Sequence, residues 1–426
     1  MRARTYRMYH VPPHSADYRS VHQASLRVAL FSGNYDCVRD GANRALNRLV
    51  AFLLDRAGAQ VRIYSPTAPR KAFASVGDVV SVRSACIPGR PEYRLALGFT
   101  RAAREDVEAF APDIIHLSAP DILGRQAQSY ARAAGIPVVA SLHTRFETYL
   151  DYYHLGFLRR PVTAYLARFY GDCDHILAPT PPIRDELARS FGRDRVSIWS
   201  RGVDRAAFHP RLRSEALRAR LGYGPGDMVP LFFGRLVHEK GLDIFADAVL
   251  RTRAAGRYVR PLIVGDGPAR TWLAQRLPNS NFTGHLEGAA LGEAVASADV
   301  LINPSVTEAF GNVNLEAMAS GLAIVSADVP SASSLIDDGR TGRLVAPESA
   351  GAYAAALLDL IADPARRHLL GEAASRAADA YDWNETLAQV LLAYRQCLAS
   401  GAAGGQGMAP LPFSRCGSGA IRSDGP

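Results

Sequence analysis

Short apolar runs separated by helical patterns constrain most strongly what this chain can fold into, and they come in two series. From Leu26 the runs LRVALFS, QVRIYS, DIIHLS, PVVASLH and HILAPT read as strands, and segments between them such as GANRALNRLVAFLLDRAG carry helical spacing and end on glycine. This alternation implies a mostly parallel sheet covered by helices on both faces. It stops in RGVDRAAFHPRLRSEALRARLGYGPGD, residues 201–227, an Arg-rich and turn-forming stretch, then restarts with VPLFFGRL, RPLIVGDG, NFTGH, DVLINPS, LAIVSAD and GRLVAP. The fold expected is therefore α/β, with two tandem Rossmann-like, doubly wound domains facing a central cleft. Ligands of open α/β sheets collect at the carboxyl ends of the strands, so the chemistry belongs in the loops that follow them.

The expected divisions are a disordered leader over residues 1–24, a first domain over 25–203, a second over 204–380, a last helix within 381–400 and a disordered tail over 401–426 rich in Gly, Ser and Pro. A chain of 426 residues is long enough for two such cores. No apolar run reaches the length of a membrane span, and the first two dozen residues lack the apolar segment of a secretory signal. Cys37, Cys86, Cys173, Cys397 and Cys416 are odd in number and never form a CxxC pair, which argues against a disulfide framework or a zinc site and for a reducing cytosol.

Charge is unevenly placed. Residues 1–200 hold 27 Lys and Arg against 18 Asp and Glu, or +9, which leaves −1 for the remainder of the +8 total. The excess suits an anionic partner such as a lipid surface or nucleic acid; a solvated Arg-rich face is the plainer reading. Only Lys71 and Lys240 among the 49 basic residues are lysines.

Four stretches carry candidate chemistry. FFGRLVHEKGLDIF leaves Arg235 and Lys240 on one loop after a strand, where a guanidinium fork and a compact ammonium can neutralise a diphosphate; two solvent-facing charges are the alternative. TEAFGNVNLE follows a buried strand and opens a helix near Gly311 and Asn312, whose free N–H groups suit an anion. Glu308 and Glu316 flank that corner as acceptors for sugar and ribose hydroxyls, or else decorate a helix start. PVVASLH ends on His143, a group able to polarise a hydroxyl or an ordinary hydrogen-bonded histidine. Gly41 precedes a helix in the first βα unit, where a backbone must often approach a ligand closely. The DCD at Asp172–Asp174 lies before a strand, at the wrong end for a metal site, and reads as a turn. GDGPAR from Gly265 has Arg270 in place of the third glycine of a dinucleotide fingerprint, which excludes a convincing NAD site.

Taken in order, GRLVHEKG, VGDGP, FTGHL, ADVLINPSVTEAFGNVNLEAMASG and DDGRTGRLVAP resemble the nucleotide-binding half of retaining glycosyltransferases of the GT-B fold, family 4. The resemblance implies that Glu308 and the backbone of Phe310, Gly311 and Asn312 hold the donor sugar, that Glu316 holds the ribose, and that Arg235 and Lys240 bind the diphosphate. It further implies that Gly41 lets the first domain reach the diphosphate, that His143 faces the donor sugar, and that the last helix crosses back onto the first domain. HTRFETYLDYYHLGFL and SRGVDRAAFHP are similar to the branch with GDP-mannose-dependent mannosyltransferases and sulfoquinovosyl diacylglycerol synthases, although Arg145 and Ala309 depart from its usual residues. The activity implied is retaining hexosyl transfer, mannose from GDP-mannose first, without metal or other cofactor. The expected partners are a nucleotide-sugar donor, a lipid or glycan acceptor and an anionic membrane surface, with no nucleic acid; the expected location is the cytoplasm, peripheral at the inner face of the membrane. Rival readings are a UDP-sugar-dependent transferase, a non-catalytic nucleotide-sugar-binding protein, and a phosphorylase or epimerase of the same architecture.

Overall fold

The computed structural model describes residues 25–403 except 39, 70, 88–89 and 146–155. The leader, the tail beyond 403 with Cys416, and all of YLDYYH lie outside the described residues.

The first domain places seven parallel strands in the order β3-β2-β1-β6-β7-β8-β9. These are β1 (Arg27–Phe31), β2 (Gln60–Ser65), β3 (Asp78–Ser81), β6 (Ile114–Leu117), β7 (Val138–Ser141), β8 (His175–Ala178) and β9 (Val196–Ile198), while β4 (Ser84–Ile87) and β5 (Arg90–Ala96) form a separate antiparallel hairpin. The second domain holds six parallel strands in the order β12-β11-β10-β13-β14-β15. Their spans are β10 (Pro230–Phe233), β11 (Leu262–Val264), β12 (Asn281–Gly284), β13 (Val300–Asn303), β14 (Ala323–Ala327) and β15 (Arg343–Val345).

Alternation along each central strand explains the two-sided burial. Ala29 and Phe31 of β1 enter one apolar cluster, while Val28 and Leu30 enter the cluster on the opposite face. Leu231 and Phe233 of β10 divide from Phe232 in the same manner. Strand order reverses between β1 and β6 in one sheet and between β10 and β13 in the other, so each domain has a topological switch point where a crevice opens.

Two chain segments join the domains side by side. The Val203 N–H donates to the Tyr381 carbonyl at 2.9 Å, and a Cβ on Gly202 would lie 2.7 Å from the Trp383 backbone, so only glycine fits this crossing. From there the helix Trp383–Ala403 returns to the first domain, where Leu387, Val390, Leu391, Tyr394 and Cys397 pack with Leu30, Leu46 and Ile63. The Asp172 carboxylate pairs with Arg125 and Arg132, and Asp174 accepts the Val138 N–H, so the DCD stretch is a structural turn before β8. The four described cysteines are free.

Candidate active site

The loops after β10 and β13 flank the second domain's switch point and lie against each other. A Cβ on Gly241 would sit 2.8 Å from the Pro304 side chain, and Gly241 itself adopts a positive φ of 72° that ends the short turn His238–Lys240 and admits the helix Leu242–Ala254. That contact brings the Lys240 ammonium onto the Glu308 carboxylate, each side chain 23% exposed. Residues 68 positions apart thus form one ion pair at the crevice. Two glycines of VGDGP seat the loop beneath them: Cβ atoms on Gly265 and Gly267 would lie 1.9 Å from the Gly234 carbonyl oxygen and 2.4 Å from that of Leu236. The VGDGP motif therefore serves close packing of the Arg235 loop.

The helix Asn312–Ala319 starts from Gly311 at φ 92° without a side-chain cap, so its first N–H groups remain available to an anion. Its placement rests on a buried polar network absent from the sequence expectations. Asn303 at the end of β13 donates to Asn314 at 2.9 Å, and Asn314 donates to Ser326 of β14 at 3.2 Å. Asn303 also accepts the Ser305 N–H, which sets the turn leading to Glu308. The Phe310 side chain is buried in the second domain's core, leaving only its backbone for a ligand.

The first domain meets this surface with the loop after β1. Asp40 caps the helix Gly41–Asp55 by accepting the Asn43 N–H at 2.8 Å. A Cβ on Gly41 would lie 2.1 Å from the Asn312 side-chain nitrogen, so two helix starts, one from each domain, face each other at contact distance. Arg44 pairs with Glu287 at 3.1 Å, Arg48 with Asp204 at 3.2 Å, and Arg235 donates to Tyr93 of the hairpin at 3.4 Å, all across the cleft. Burial raises the Asp40 carboxyl, an effect opposed by its N–H bonds and by the Arg235 and Arg201 charges. Glu316, in the second turn of its helix, is pushed up to about 7 by burial, with Arg44 and Arg48 pulling the other way.

His143 stands at the end of β7 as expected, but its ring nitrogens are both engaged. Ser141 lies 2.8 Å from Nε2 and the Arg201 guanidinium 2.7 Å from Nδ1, with Trp199 packed edge-on at 5.0 Å. Direct polarisation of a sugar hydroxyl by a free ring nitrogen is therefore not what this arrangement offers. Arg201 itself is only 4% exposed, held by the Trp199 and Ser200 carbonyls. The motif SRGVD signalled its position without showing that its guanidinium turns inward. Arg145, the departure noted beside His143, makes a two-pronged pair with Glu186 at 3.0 Å.

Comparison with known proteins agrees with this architecture. Residues 39–207 match the family described as Glycosyltransferase Family 4, and residues 228–363 match Glycosyl transferases group 1. The chain superposes on sucrose-phosphate synthase from Thermosynechococcus elongatus with a TM-score of 0.74 at 20% identity, over 88% of this chain and 100% of that one. Two Rossmann-like domains about one cleft, shared with such neighbours, are the GT-B fold. Among curated relatives, a GDP-mannose-dependent alpha-mannosyltransferase of Mycolicibacterium smegmatis is 33% identical over 84% of this chain and 94% of its own length. The sulfoquinovosyl transferase SQD2 of Arabidopsis thaliana is 31% identical over 73% of this chain, a match that spans 62% of that protein. The chain belongs to glycosyltransferase family 4.

Proposed function

We propose that this glycosyltransferase moves a hexosyl group from a nucleoside-diphosphate sugar, GDP-mannose first, onto a lipid or glycan hydroxyl with retention of anomeric configuration. The observation that carries the reading is the Lys240–Glu308 pair at the second domain's switch point, followed directly by the uncapped helix start at Gly311. On donor binding, Arg235, Lys240 and the N–H groups of that helix neutralise the diphosphate, and Glu308 accepts a hydroxyl of the sugar. The acceptor oxygen attacks the anomeric carbon on the face the diphosphate leaves. The carbon–oxygen bond to the diphosphate breaks, and a diphosphate oxygen takes the acceptor's proton. The cations bear the developing negative charge, so no metal is required. The relatives named as GDP-mannose-dependent mannosyltransferases support the mannosyl donor; the similarity to a sulfoquinovosyl transferase supports a different sugar in its place.

For the acceptor side, the helix Arg159–Gly171 supports a peripheral position at the cytoplasmic face of a membrane. It carries Arg159, Arg160 and Arg168 beside an exposed Tyr165, and Phe157 in the preceding turn is 75% exposed. No helix among the described residues is long and apolar enough to cross a membrane. Release of nucleoside diphosphate from a panel of nucleotide sugars, with anionic vesicles supplying lipid acceptor, tests both parts. We expect turnover with GDP-mannose and co-sedimentation with the vesicles; turnover with another donor alone, or no co-sedimentation, removes the corresponding part.

Glu316 gives the ribose assignment a pH signature. Its folded value near 7 exceeds the ordinary carboxyl value, so its contribution to stability is full below the unfolded value and is lost as pH rises through about 7. Ribose hydroxyls bond more strongly to the carboxylate than to the neutral acid, so nucleotide affinity gains where stability is lost. The affinity of wild type relative to Glu316→Gln is expected to rise roughly tenfold between pH ~6 and ~8 by calorimetry. A ratio that stays flat removes Glu316 from the ribose.

A further inference from the structure

A line of buried polar side chains runs from His143 through the first domain to the last helix. Arg201 approaches Nδ1 of His143 at 2.7 Å, Nε2 of His143 lies 2.8 Å from Ser141 Oγ, and that hydroxyl lies 2.8 Å from Nε2 of His116. His116 Nδ1 then meets the hydroxyl of Tyr394. His116 and Tyr394 have no solvent exposure, and Ser141 is buried between them and His143. Donor direction along this line follows from one fact: a guanidinium has only N–H donors. Nδ1 of His143 must therefore accept, so the single ring proton sits on Nε2 and is donated to Ser141. Ser141 has one proton left, and it goes to Nε2 of His116. His116 must then carry its own proton on Nδ1, donated to Tyr394.

We propose that Arg201 is a positioning residue for His143, fixing the imidazole as the neutral Nε2–H tautomer and, through Ser141 and His116, ordering a relay that ends on Tyr394 of the last helix. The inference rests on the reading of His143 as a group of the transfer site. The charged and titratable groups about the imidazole are Arg201, on the segment after β9, and His116, on β6; Asp40 faces Arg201 from the loop after β1, and Tyr394 faces His116 from the last helix. Burial and the Arg201 charge hold His143 well below the usual histidine range, and burial takes His116 down to about 3. A second positive charge on His143 would lie directly against the buried Arg201 guanidinium, a like-charge contact made out of water. A neutral, fixed ring avoids that while keeping the wall of the cleft rigid.

The decisive measurement is long-range proton–nitrogen correlation spectroscopy of the full chain labelled with nitrogen-15 histidine, from about pH 5.5 to about 8, with His143 assigned by the signal lost in His143→Gln. We expect an unprotonated Nδ1, a protonated Nε2 and no titration in wild type. Arg201→Met removes the donor that makes Nδ1 an acceptor, so the ring proton of His143 should redistribute onto Nδ1 and its titration should move upward, with burial still holding it below the ordinary histidine value. Arg201→Lys, which keeps a donor, should restore the wild-type tautomer. A wild-type His143 that protonates within the range, or carries its proton on Nδ1, overturns the proposal whether or not the variants fold. His143→Ala with undiminished transfer would remove the histidine from the reaction, and the tautomer measurement would still decide the role of Arg201.

Discussion

Replacing Lys240 with alanine is expected to lower turnover by about 10²–10³-fold, the cost of removing one preorganised group that stabilises a developing oxyanion, or roughly 3–4 kcal/mol. Two effects combine in that number. The leaving diphosphate loses a compact cation at the place where its charge grows, and Glu308 loses the ammonium that pairs with its carboxylate. The pair is half-buried, so the stranded carboxylate rotates to water or recruits Arg235, and either movement spoils its reach toward a sugar hydroxyl. The melting temperature should move little, since the Lys240 and Glu308 side chains belong to neither apolar cluster of the domain. Steady-state rates of nucleoside diphosphate release, with melting as control, check the prediction. Near-normal turnover in a folded variant would refute the diphosphate role.

Gly265→Ala should produce the largest loss of stability among single methyl additions in the cleft. The added carbon would lie 1.9 Å from the Gly234 carbonyl oxygen, and the position has a φ of 134°, which L side chains rarely adopt. Backbone must move on both sides, at a cost on the order of 3 kcal/mol or more. Gly288→Ala is the comparison: its φ of 56° carries strain, but nothing lies within 4 Å, so about 1 kcal/mol is expected. Denaturant unfolding of the two variants distinguishes clash from strain. Equal losses would mean that packing between the loops after β10 and β11 does not hold Arg235 in place.

Strands of the two sheets were legible wherever an apolar run was long enough to be buried on both faces, as in LRVALFS and LAIVSAD. The edge strands β3 and β9 and the β4–β5 hairpin escaped because polar residues interrupt their apolar side chains and much of their surface is exposed, as in DVVS, VSI and SACI. At the cleft, Arg235, Lys240, Glu308 and Glu316 could be picked out as charges after strands. Their partnerships could not, because Lys240 meets Glu308 and Gly41 meets Asn312 only after long stretches of chain have folded between them. Arg201 was hidden for another reason: arginine is so often solvated that an inward guanidinium leaves no trace in local pattern. The same holds for His143, whose tautomer depends on Arg201 from a different strand end.

The last helix gives the first domain an unusual history. Leu387, Val390, Leu391 and Tyr394 fill the part of one face beside the helix Gly41–Asp55, on a sheet whose seven strands are all complete by Ile198. During synthesis that face therefore stays open while the entire second domain is made. At about 5–20 residues per second, the wait spans roughly 10–40 s. The domain begun first is thus closed last, and His116 waits for Tyr394 until nearly the whole described chain exists. A nascent chain halted before residue 383 would carry a finished second domain beside a first domain with an exposed apolar face, a natural substrate for chaperones rather than a smaller working enzyme.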